Sequence, residues 1–339
     1  MMKRVCILLA SYQGEAYIQQ QLASLQQQTY SNWTALIRDD QSTDNTRALI
    51  NTVAAEDTRF QIINDNLGNL GSNQNFAVLM REAAQQDFDY IFFADQDDVW
   101  EKNKIAVQLA ELEQLTEKFG SHTPLLTYCN LAVVNETLQP IHASFHHYQG
   151  LHHPRHFSLA HLIGQNIVTG CAMAINRSLL RCCLPVPQEV LVHDWWVAIF
   201  AAALGEASYT PRSLIKYRQH THNQVGATRI SPQLLMQPEK LKALFIKNSQ
   251  NFLRSLTQAR SVTQRLTHLR AHSQAQCARS YANLLHQPFL GKLKSLYTYK
   301  FQRQGKIRKL LFFIRLFFIG HILRQHTPKL KGETIAKIG

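Results

Sequence analysis

Residues 90–98 read YIFFADQDD, a sequence in which an apolar run ends directly in three carboxylates. A short apolar run of this kind is typical of a buried strand. The acids Asp95, Asp97 and Asp98 then lie at a strand end, where their like charges repel one another. A divalent cation with hard oxygen ligands, Mg²⁺ or Mn²⁺, would relieve that repulsion. An acidic turn that caps the following helix is the alternative.

The alternation of strand and helix extends over the first 120 residues. Apolar runs at 5–9, 34–37, 60–63 and 90–94 are followed by helical patterns at 15–28, 43–55, 72–86 and 101–118. This pattern predicts an α/β fold with a mostly parallel, Rossmann-like sheet and flanking helices. Ligands of such sheets bind at the carboxyl ends of the strands, and each of these four strands is followed there by polar residues.

The second hundred residues are less regular. Strands are predicted at 125–129, 131–134, 167–176 and 213–218, and a helix at His193–Leu204. A histidine-rich stretch at 140–161 matches no standard zinc spacing, so a solvated, acceptor-facing loop is expected there. From about residue 240 the pattern is helical.

The charge of the chain changes sign near residue 239. Residues 1–239 carry 16 basic and 22 acidic side chains, whereas residues 240–339 carry 20 basic and one acidic. The basic tail predicts attraction to an anionic surface. Its aromatic residues are bunched in one apolar run, 310–323, which favours a membrane surface over nucleic acid. That run is too short to span a bilayer, and packing on the protein body is the alternative.

Composition excludes several classes of protein. With 339 residues, 45% of them hydrophobic, the chain can fill a large core and is not disordered throughout. The six cysteines form no CxxC pair, which argues against both a disulfide framework and a zinc site. The apolar run at 5–10 is too short for a signal peptide, so a cytoplasmic protein is expected.

Several motifs, taken in order, resemble the family-2 glycosyltransferases, which have the GT-A fold. The motifs are Ser11-Tyr12, residues 39–44, Asn69-Leu70-Gly71, Asn75-Phe76, residues 95–100, residues 166–173, residues 193–196, and residues 217–220 with Asn223. The resemblance covers roughly residues 3–226, and its second half is closest to bacterial rhamnosyltransferase-like members. It implies a GT-A domain at 1–230, with a nucleotide-binding half at 1–120 and an acceptor half at 121–230. A basic helical region follows at 231–339.

The resemblance also implies roles for individual residues. The implied donor-binding residues are Ser11, Tyr12, Asp39, Asp40, Asn69, Gly71, Asn75, Asp95 and Arg218. The implied metal ligands are Asp95, Asp97 and His220, and the implied general base is Asp194. The implied acceptor-binding residues are Asn166, Gly170, Trp195 and Trp196. Because Gln41 stands where many relatives have glycine, either Asp39 or Asp40 remains a candidate for contact with the base or ribose.

The expected activity is therefore metal-dependent, inverting transfer of one sugar from a nucleoside-diphosphate sugar. A dTDP-activated rhamnose or another deoxyhexose is the first expectation for the donor, and a UDP-sugar the second. The acceptor is expected to be a surface polysaccharide or a lipid-linked oligosaccharide, and the protein to lie at the inner face of the cell membrane. The QxxRW motif of processive members is missing, which favours single transfer.

Two rival functions remain at this stage. A nucleotidyltransferase would also use carboxylates and Mg²⁺, but it should carry a glycine-rich basic loop where residues 11–15 read SYQGE. A non-enzymatic module that binds membranes or polyanions would keep the acids for structural reasons alone. Nucleotide binding that depends on a divalent cation discriminates against the second rival.

Overall fold

A computed structural model describes residues 2–154, 156–221 and 238–326. Asn223, one of the motif residues, lies outside these ranges. The strands are β1 Val5–Ser11, β2 Trp33–Asp39, β3 Phe60–Ile62, β4 Tyr90–Asp95, β5 Val99–Trp100, β6 Leu125–Val134, β7 Pro140–His142, β8 Met173–Asn176 and β9 Glu206–Arg218. The helices are α1 Ile18–Gln26, α2 Thr46–Glu56, α3 Ser72–Gln85, α4 Lys104–Phe119, α5 Phe145–Gln149, α6 Leu159–Leu162, α7 Arg177–Cys183, α8 His193–Leu204, α9 Pro238–His268, α10 His272–Ala282, α11 Phe289–Tyr299 and α12 Lys306–His326.

All the strands described belong to one sheet, in the order β3-β2-β1-β4-β8-β6-β9-β5, with β7 paired to β6. Strands β3, β2, β1 and β4 are parallel, which confirms the α/β, Rossmann-like first half. Beyond β4 the sheet is mixed rather than mostly parallel, because β8 runs antiparallel to both β4 and β6. The segment 135–172 remains near the carboxyl ends of β4 and β6, so β8 starts at that rim and runs back.

Some predicted boundaries differ from the structure. The predicted strands at 125–129 and 131–134 form the single strand β6, whose pairing with β9 shifts register around Asn130. Of the strand predicted at 167–176, only the last four residues pair in the sheet. A 3₁₀ turn at Gly170–Ala172 precedes them.

The sheet is buried on both faces. On β1, Val5, Ile7 and Leu9 point into one core beneath α1 and α4, whereas Cys6 and Leu8 point into a second core beneath α3 and α8. This two-sided burial explains why the strands read as continuous apolar runs instead of alternating patterns.

The basic C-terminal helices pack on the second core. Phe252 of α9, Tyr281 of α10 and Phe312 of α12 are buried in the same cluster as Trp196 of α8. Helices α9, α10 and α12 therefore share a hydrophobic core with the α/β body. Among the helices described, none is long and apolar enough to cross a bilayer.

A membrane-surface helix with Phe312, Phe313, Phe317 and Phe318 in lipid does not describe the structure. Phe312 is buried, and Phe313 and Phe317 are half-buried, whereas Phe318 is 61% exposed. Arg315 is also buried, and its Nε donates to Ser249 Oγ at 3.2 Å. The alternative, in which this helix packs on the protein body, describes most of residues 310–318.

Candidate active site

The ends of β1 and β2 form one wall of the cleft. Their register pairs Ser11 with Asp39, and Ser11 Oγ donates to Asp39 Oδ1 at 3.0 Å. Ser42 donates to the same carboxylate through its backbone N at 2.9 Å and through Oγ at 2.6 Å. Asp39 remains partly exposed, and Tyr12 beside it is 48% exposed. This carboxylate is fixed in place and still accessible to a ligand.

Asp40 points into the protein. It is 1% exposed, and its carboxylate accepts from Arg38 Nη1 at 2.6 Å and from the backbone N of Gly71 at 2.7 Å. Arg38 also binds Asp65, with Nε at 2.7 Å and Nη2 at 3.0 Å from the carboxylate oxygens. The Arg38 guanidinium lowers the pKa of Asp65 through these hydrogen bonds. Of the two acids, only Asp39 is accessible to a ligand, and Asp40 anchors the loop before α3.

Gln41 has a backbone conformation that glycine adopts without steric cost. Its φ is +64°, in the left-handed region that non-glycine residues rarely adopt. A glycine at this position would therefore fit the loop after β2 without strain.

The other residues expected to bind the donor also fall into a buried group and an exposed group. Asn75 is 1% exposed, and its Nδ2 donates to Arg38 O at 3.2 Å, so it joins strand ends and does not face the cleft. Asn69 and Gly71 are exposed, with Asn69 Nδ2 donating to Asp40 O at 2.8 Å.

We expect Asp39→Asn and Asp40→Asn to affect different properties. Asp40→Asn leaves the buried Arg38 without one of its charged partners, which should lower the free energy of unfolding by about 3 kcal/mol. Asp39→Asn should leave the unfolding free energy within about 1 kcal/mol of wild type and weaken nucleotide-sugar binding at least tenfold. Urea unfolding and calorimetric titration measure the two quantities. Equal destabilisation by both variants would contradict this division.

The acids that follow β4 lie beside this wall. Asp95 ends β4, pairs in register with Ala10 of β1, and is partly exposed, as is Asp97. Asp97 Oδ2 contacts His220 Nε2 at 2.8 Å, so the structure brings together two residues that the resemblance assigned to a metal. Asp98 is fully buried, and its Oδ1 accepts from the backbone N of Arg218 at 3.2 Å.

These carboxylates repel one another. Burial and the neighbouring carboxylates raise the pKa of Asp95, and Asp194 is among the groups that contribute. Burial, Asp97 and Asp95 likewise raise the pKa of Asp98. Among the described residues, ligand atoms of Asp95, Asp98 and Cys171 lie within 4.8 Å of one another. The cluster fits a divalent cation that neutralises carboxylates, with Asp95 and Asp97 on the accessible side.

A buried lysine lies under the acids. Lys104 Nζ is fully buried, has no hydrogen-bond partner among the described residues, and sits 3.7 Å from the Trp100 ring centroid. Burial lowers its pKa to about 8, while the nearby Cys129, Cys171 and Asp98 oppose the shift. No sequence motif singled out Lys104, because its burial depends on the packing of α4 beneath the sheet.

Arg218 is buried and hydrogen-bonded to other parts of the protein. It is therefore not exposed to the donor diphosphate, as the resemblance had implied. It is 1% exposed, its Nε donates to Asp97 O at 2.7 Å, and its other nitrogens donate to Gln20 Oε1 and Glu136 O. The guanidinium also lies 4.6 Å from the Tyr17 ring centroid. Arg218 therefore fixes the loop that carries Asp97.

Asp194 lies in the first turn of α8 and reaches the same cleft. Its Oδ2 accepts from the backbone N of Gly170 at 2.8 Å, and its Oδ1 accepts from Asn166 Nδ2 at 2.9 Å. Burial raises the pKa of Asp194 to about 7, against the lowering effect of the Trp195 and Gly170 backbone N–H groups and of Asn166. A carboxylate with this pKa can exchange a proton near neutral pH.

Gly170 supports Asp194 and does not face an acceptor. It is buried, and a Cβ added there would lie 2.7 Å from Nε2 of His193, whose ring stacks on Phe76 at 3.8 Å. Burial lowers the pKa of His193 to about 3, so this imidazole is neutral. No sequence pattern predicts that His193 packs against Phe76.

The tryptophans expected to face the acceptor belong to the core. Trp196 is fully buried and donates from Nε1 to Cys183 O at 2.8 Å. Trp195 is 8% exposed and donates from Nε1 to Leu162 O. Neither leaves a ring face for a sugar, because α8 is apolar around most of its circumference. Asn166, which is partly exposed, remains at the cleft.

Comparison with known proteins agrees with this geometry. The profile of the family described as Glycosyl transferase family 2 matches residues 6–182, about half of the chain. The chain therefore belongs to glycosyl transferase family 2 and is a glycosyltransferase.

Two curated relatives and one solved structure illustrate the similarity. The dTDP-rhamnosyl transferase RfbG of Shigella flexneri is 26% identical over 235 residues, which are 65% of this chain and 74% of that protein. The UDP-Glc:alpha-D-GlcNAc-diphosphoundecaprenol beta-1,3-glucosyltransferase WfgD of Escherichia coli is 30% identical over 106 residues, 31% of this chain and 40% of that protein. The mannosyltransferase PcManGT of Pyrobaculum calidifontis, in complex with GDP-Man and Mn²⁺, superposes with a TM-score of 0.52 at 14% identity, over 97% of this chain and 88% of that one. This superposition confirms the GT-A fold.

Proposed function

We propose that this glycosyltransferase moves a single sugar from a nucleoside-diphosphate donor to an acceptor hydroxyl, with inversion at the anomeric carbon. The observation that supports the proposal is that Asp39 of β2, Asp95 of β4 with Asp97 two residues later, and Asp194 of α8 lie around the carboxyl ends of neighbouring strands. Ser11 and Ala10 of β1 are paired in register with Asp39 and Asp95, respectively. Ligand atoms of Asp95 and Cys171 lie within 4.8 Å of one another, and the backbone N of the adjacent Gly170 donates to Asp194 Oδ2 at 2.8 Å.

Each group has a distinct task in this proposal. Asp39 accepts hydrogen bonds from the base or ribose of the donor. Asp95 and Asp97, with His220, hold a divalent cation, Mg²⁺ or Mn²⁺, which stabilises the charge of the departing diphosphate when it is bound. The Asp194 carboxylate removes the proton of the acceptor hydroxyl as its oxygen attacks the anomeric carbon and the bond to the diphosphate breaks. One displacement without a covalent intermediate inverts the configuration.

The relatives support a more specific donor and acceptor. RfbG is named as a dTDP-rhamnosyl transferase, so dTDP-rhamnose is our first proposal for the donor and a UDP-hexose the second. The name of WfgD includes a diphosphoundecaprenol-linked sugar, which supports a lipid-linked saccharide as acceptor. The match to WfgD covers less than half of that protein.

A thermal-shift screen of nucleotide sugars with and without Mn²⁺ tests the proposed function. An occupied site stabilises the fold by mass action, by about 2.7 kcal/mol when the ligand is at 100 times its Kd. We expect one nucleotide sugar to raise the melting temperature with Mn²⁺, and to raise it much less in EDTA. Absence of any shift across dTDP-, UDP- and GDP-sugars would contradict the proposal.

We also propose a peripheral position on the inner face of the cell membrane. The apolar side chains of α11 and α12 that face solvent are Phe289, Leu290, Leu293, Tyr297, Ile307, Leu310 and Phe318. Lysines 292, 294, 300, 306 and 309 lie among them in sequence. Apolar insertion together with basic side chains suits an anionic bilayer.

We expect the double variant Leu290→Glu/Tyr297→Glu to co-sediment less with phosphatidylglycerol vesicles, because two exposed apolar side chains become charged. Unchanged vesicle binding would argue against this surface.

A further inference from the structure

A basic cavity lies next to the catalytic cleft, on the acceptor side. It has a volume of about 470 Å³ and lies between residues 152–167 and residues 302–309. Its cationic and titratable lining consists of His152, His161, Arg303, Lys306 and Lys309. Among the described residues that line it, none is acidic. The cavity therefore presents positive charge that the protein does not neutralise locally.

Arg303 is one of the cations that line this cavity. Its guanidinium hydrogen-bonds Tyr281, but its Nε is buried and has no hydrogen-bond partner among the described residues. Burial, together with repulsion from Arg303, lowers the pKa of both Arg308 and Arg315, so three arginines lie close together. Clustered arginines with an unpartnered buried N–H are stabilised by an anion that accepts from them.

The start of α12 adds to the positive potential. The helix begins at Lys306, directly after Gly305 with a φ of +84°, and both residues line the cavity. The first amide groups of a helix lack partners within it and carry a partial positive charge, which favours phosphate at that end. Arg303, Lys306 and Lys309 thus surround a helix N-terminus.

The cavity is braced by hydrogen bonds and needs no rearrangement to form. The Gln304 backbone N donates to Gln165 Oε1 at 2.7 Å, and Gln304 Nε2 donates to His152 O at 2.7 Å. His152 N donates in return to Gln304 Oε1 at 2.9 Å. A preformed arrangement lowers the ordering cost of binding.

The segment that lines the cavity also contains Asn166, which hydrogen-bonds Asp194. Gln165 and Ile167 line the cavity, and Asn166 between them donates to Asp194 Oδ1 at 2.9 Å. A group held in the cavity is therefore one short segment away from the carboxylate proposed as the base. The donor wall at β1 and β2 contributes no lining residue.

We propose that this cavity binds the phosphate groups of a phosphate-bearing acceptor and thereby presents the acceptor sugar to Asp194. The inference rests on the proposed function and names the chemistry of its acceptor: a saccharide joined to a phosphate or diphosphate. The same phosphate chemistry occurs in membrane headgroups, so the test must distinguish the two sources.

The test uses the full chain in EDTA, with farnesyl diphosphate as the soluble probe and farnesol as its phosphate-free counterpart. The variant Arg303→Gln/Lys306→Gln/Lys309→Gln removes three cavity charges. The control Lys118→Gln/Arg212→Gln/Arg279→Gln removes three charges from exposed positions outside both the cavity and the proposed membrane surface. We expect calorimetry to show at least tenfold weaker farnesyl diphosphate binding in the cavity variant, wild-type affinity in the control, and much weaker binding of farnesol.

Other outcomes overturn the assignment. Equal weakening in the two triple variants would show attraction to net charge alone. The cavity variant could instead keep its affinity for farnesyl diphosphate and lose binding to phosphatidylglycerol vesicles, while the control keeps both. That result would assign the cavity to membrane headgroups. If the triple variant unfolds, Lys306→Glu at an exposed position must give the same loss. The binding of farnesyl diphosphate is measured without donor and without turnover. A negative result here is therefore distinguishable from a negative result in the nucleotide-sugar screen, which tests the proposed function.

Discussion

Replacing Asp194 by asparagine is expected to lower kcat by a factor of about 10²–10⁴, the usual contribution of a general base. The amide cannot take the proton of the acceptor hydroxyl, yet it occupies nearly the same volume between Gly170 and Asn166. Nucleotide-sugar affinity should therefore remain within about threefold of wild type. Steady-state kinetics and calorimetric titration of the donor measure the two effects separately.

The pH dependence provides a second readout for Asp194. Burial raises the pKa of this carboxyl to about 7, and a base acts only when deprotonated. Wild-type kcat/KM should therefore fall about tenfold per pH unit below pH 7 and level off above it. The residual activity of Asp194→Asn should not show this fall in kcat/KM below pH 7. The control Asp87→Asn changes an exposed carboxylate whose partners are Arg4 and Arg177, and it should retain the wild-type profile. A kcat for Asp194→Asn close to wild type would remove it as the base.

The second large effect is expected at Asp97. Asp97→Asn removes a charged ligand on the accessible side of the acidic cluster, next to His220. We expect cation-dependent donor affinity to fall at least 100-fold, which corresponds to about 2.7 kcal/mol. The measurement is the melting-temperature shift produced by Mn²⁺ with the nucleotide sugar, followed by calorimetry.

The Asp97 result can be separated from a loss of folding. Asp97→Asn should keep the wild-type melting temperature in EDTA, because Arg218 binds the backbone carbonyl of Asp97, which the substitution leaves in place. Asp87→Asn again serves as the carboxylate control. Undiminished Mn²⁺-dependent binding by Asp97→Asn would refute the metal assignment.

The first half of the fold was predictable because its signals are local. Each parallel strand is one apolar run, and the polar residues that follow it reach the same rim whatever the rest of the chain does. The positions of Asp39, Asp95 and Asp97 follow from this rule. Asp194 was assigned through the family resemblance, and its position next to Asp95 depends on contacts of α8 that no local pattern contains.

Several wrong expectations concern the direction in which a side chain points. Asp40 turns inward because Arg38, two residues earlier, and the amide of Gly71, 31 residues later, bind its carboxylate. The sequence cannot reveal which face of an apolar helix is covered, so Trp196 looked available when it is core. Phe312 looked ready for lipid because its buried partner, Phe252, lies 60 residues earlier.

Lys104 places a positive charge inside the scaffold, beneath the acids. Its side chain is fully buried, burial lowers its pKa to about 8, and the nearby Asp98 opposes that shift. Below that pH the ammonium group, together with Arg218, offsets part of the mutual repulsion of the carboxylates without any bound ion. We therefore expect the protein to keep its fold in EDTA at neutral pH.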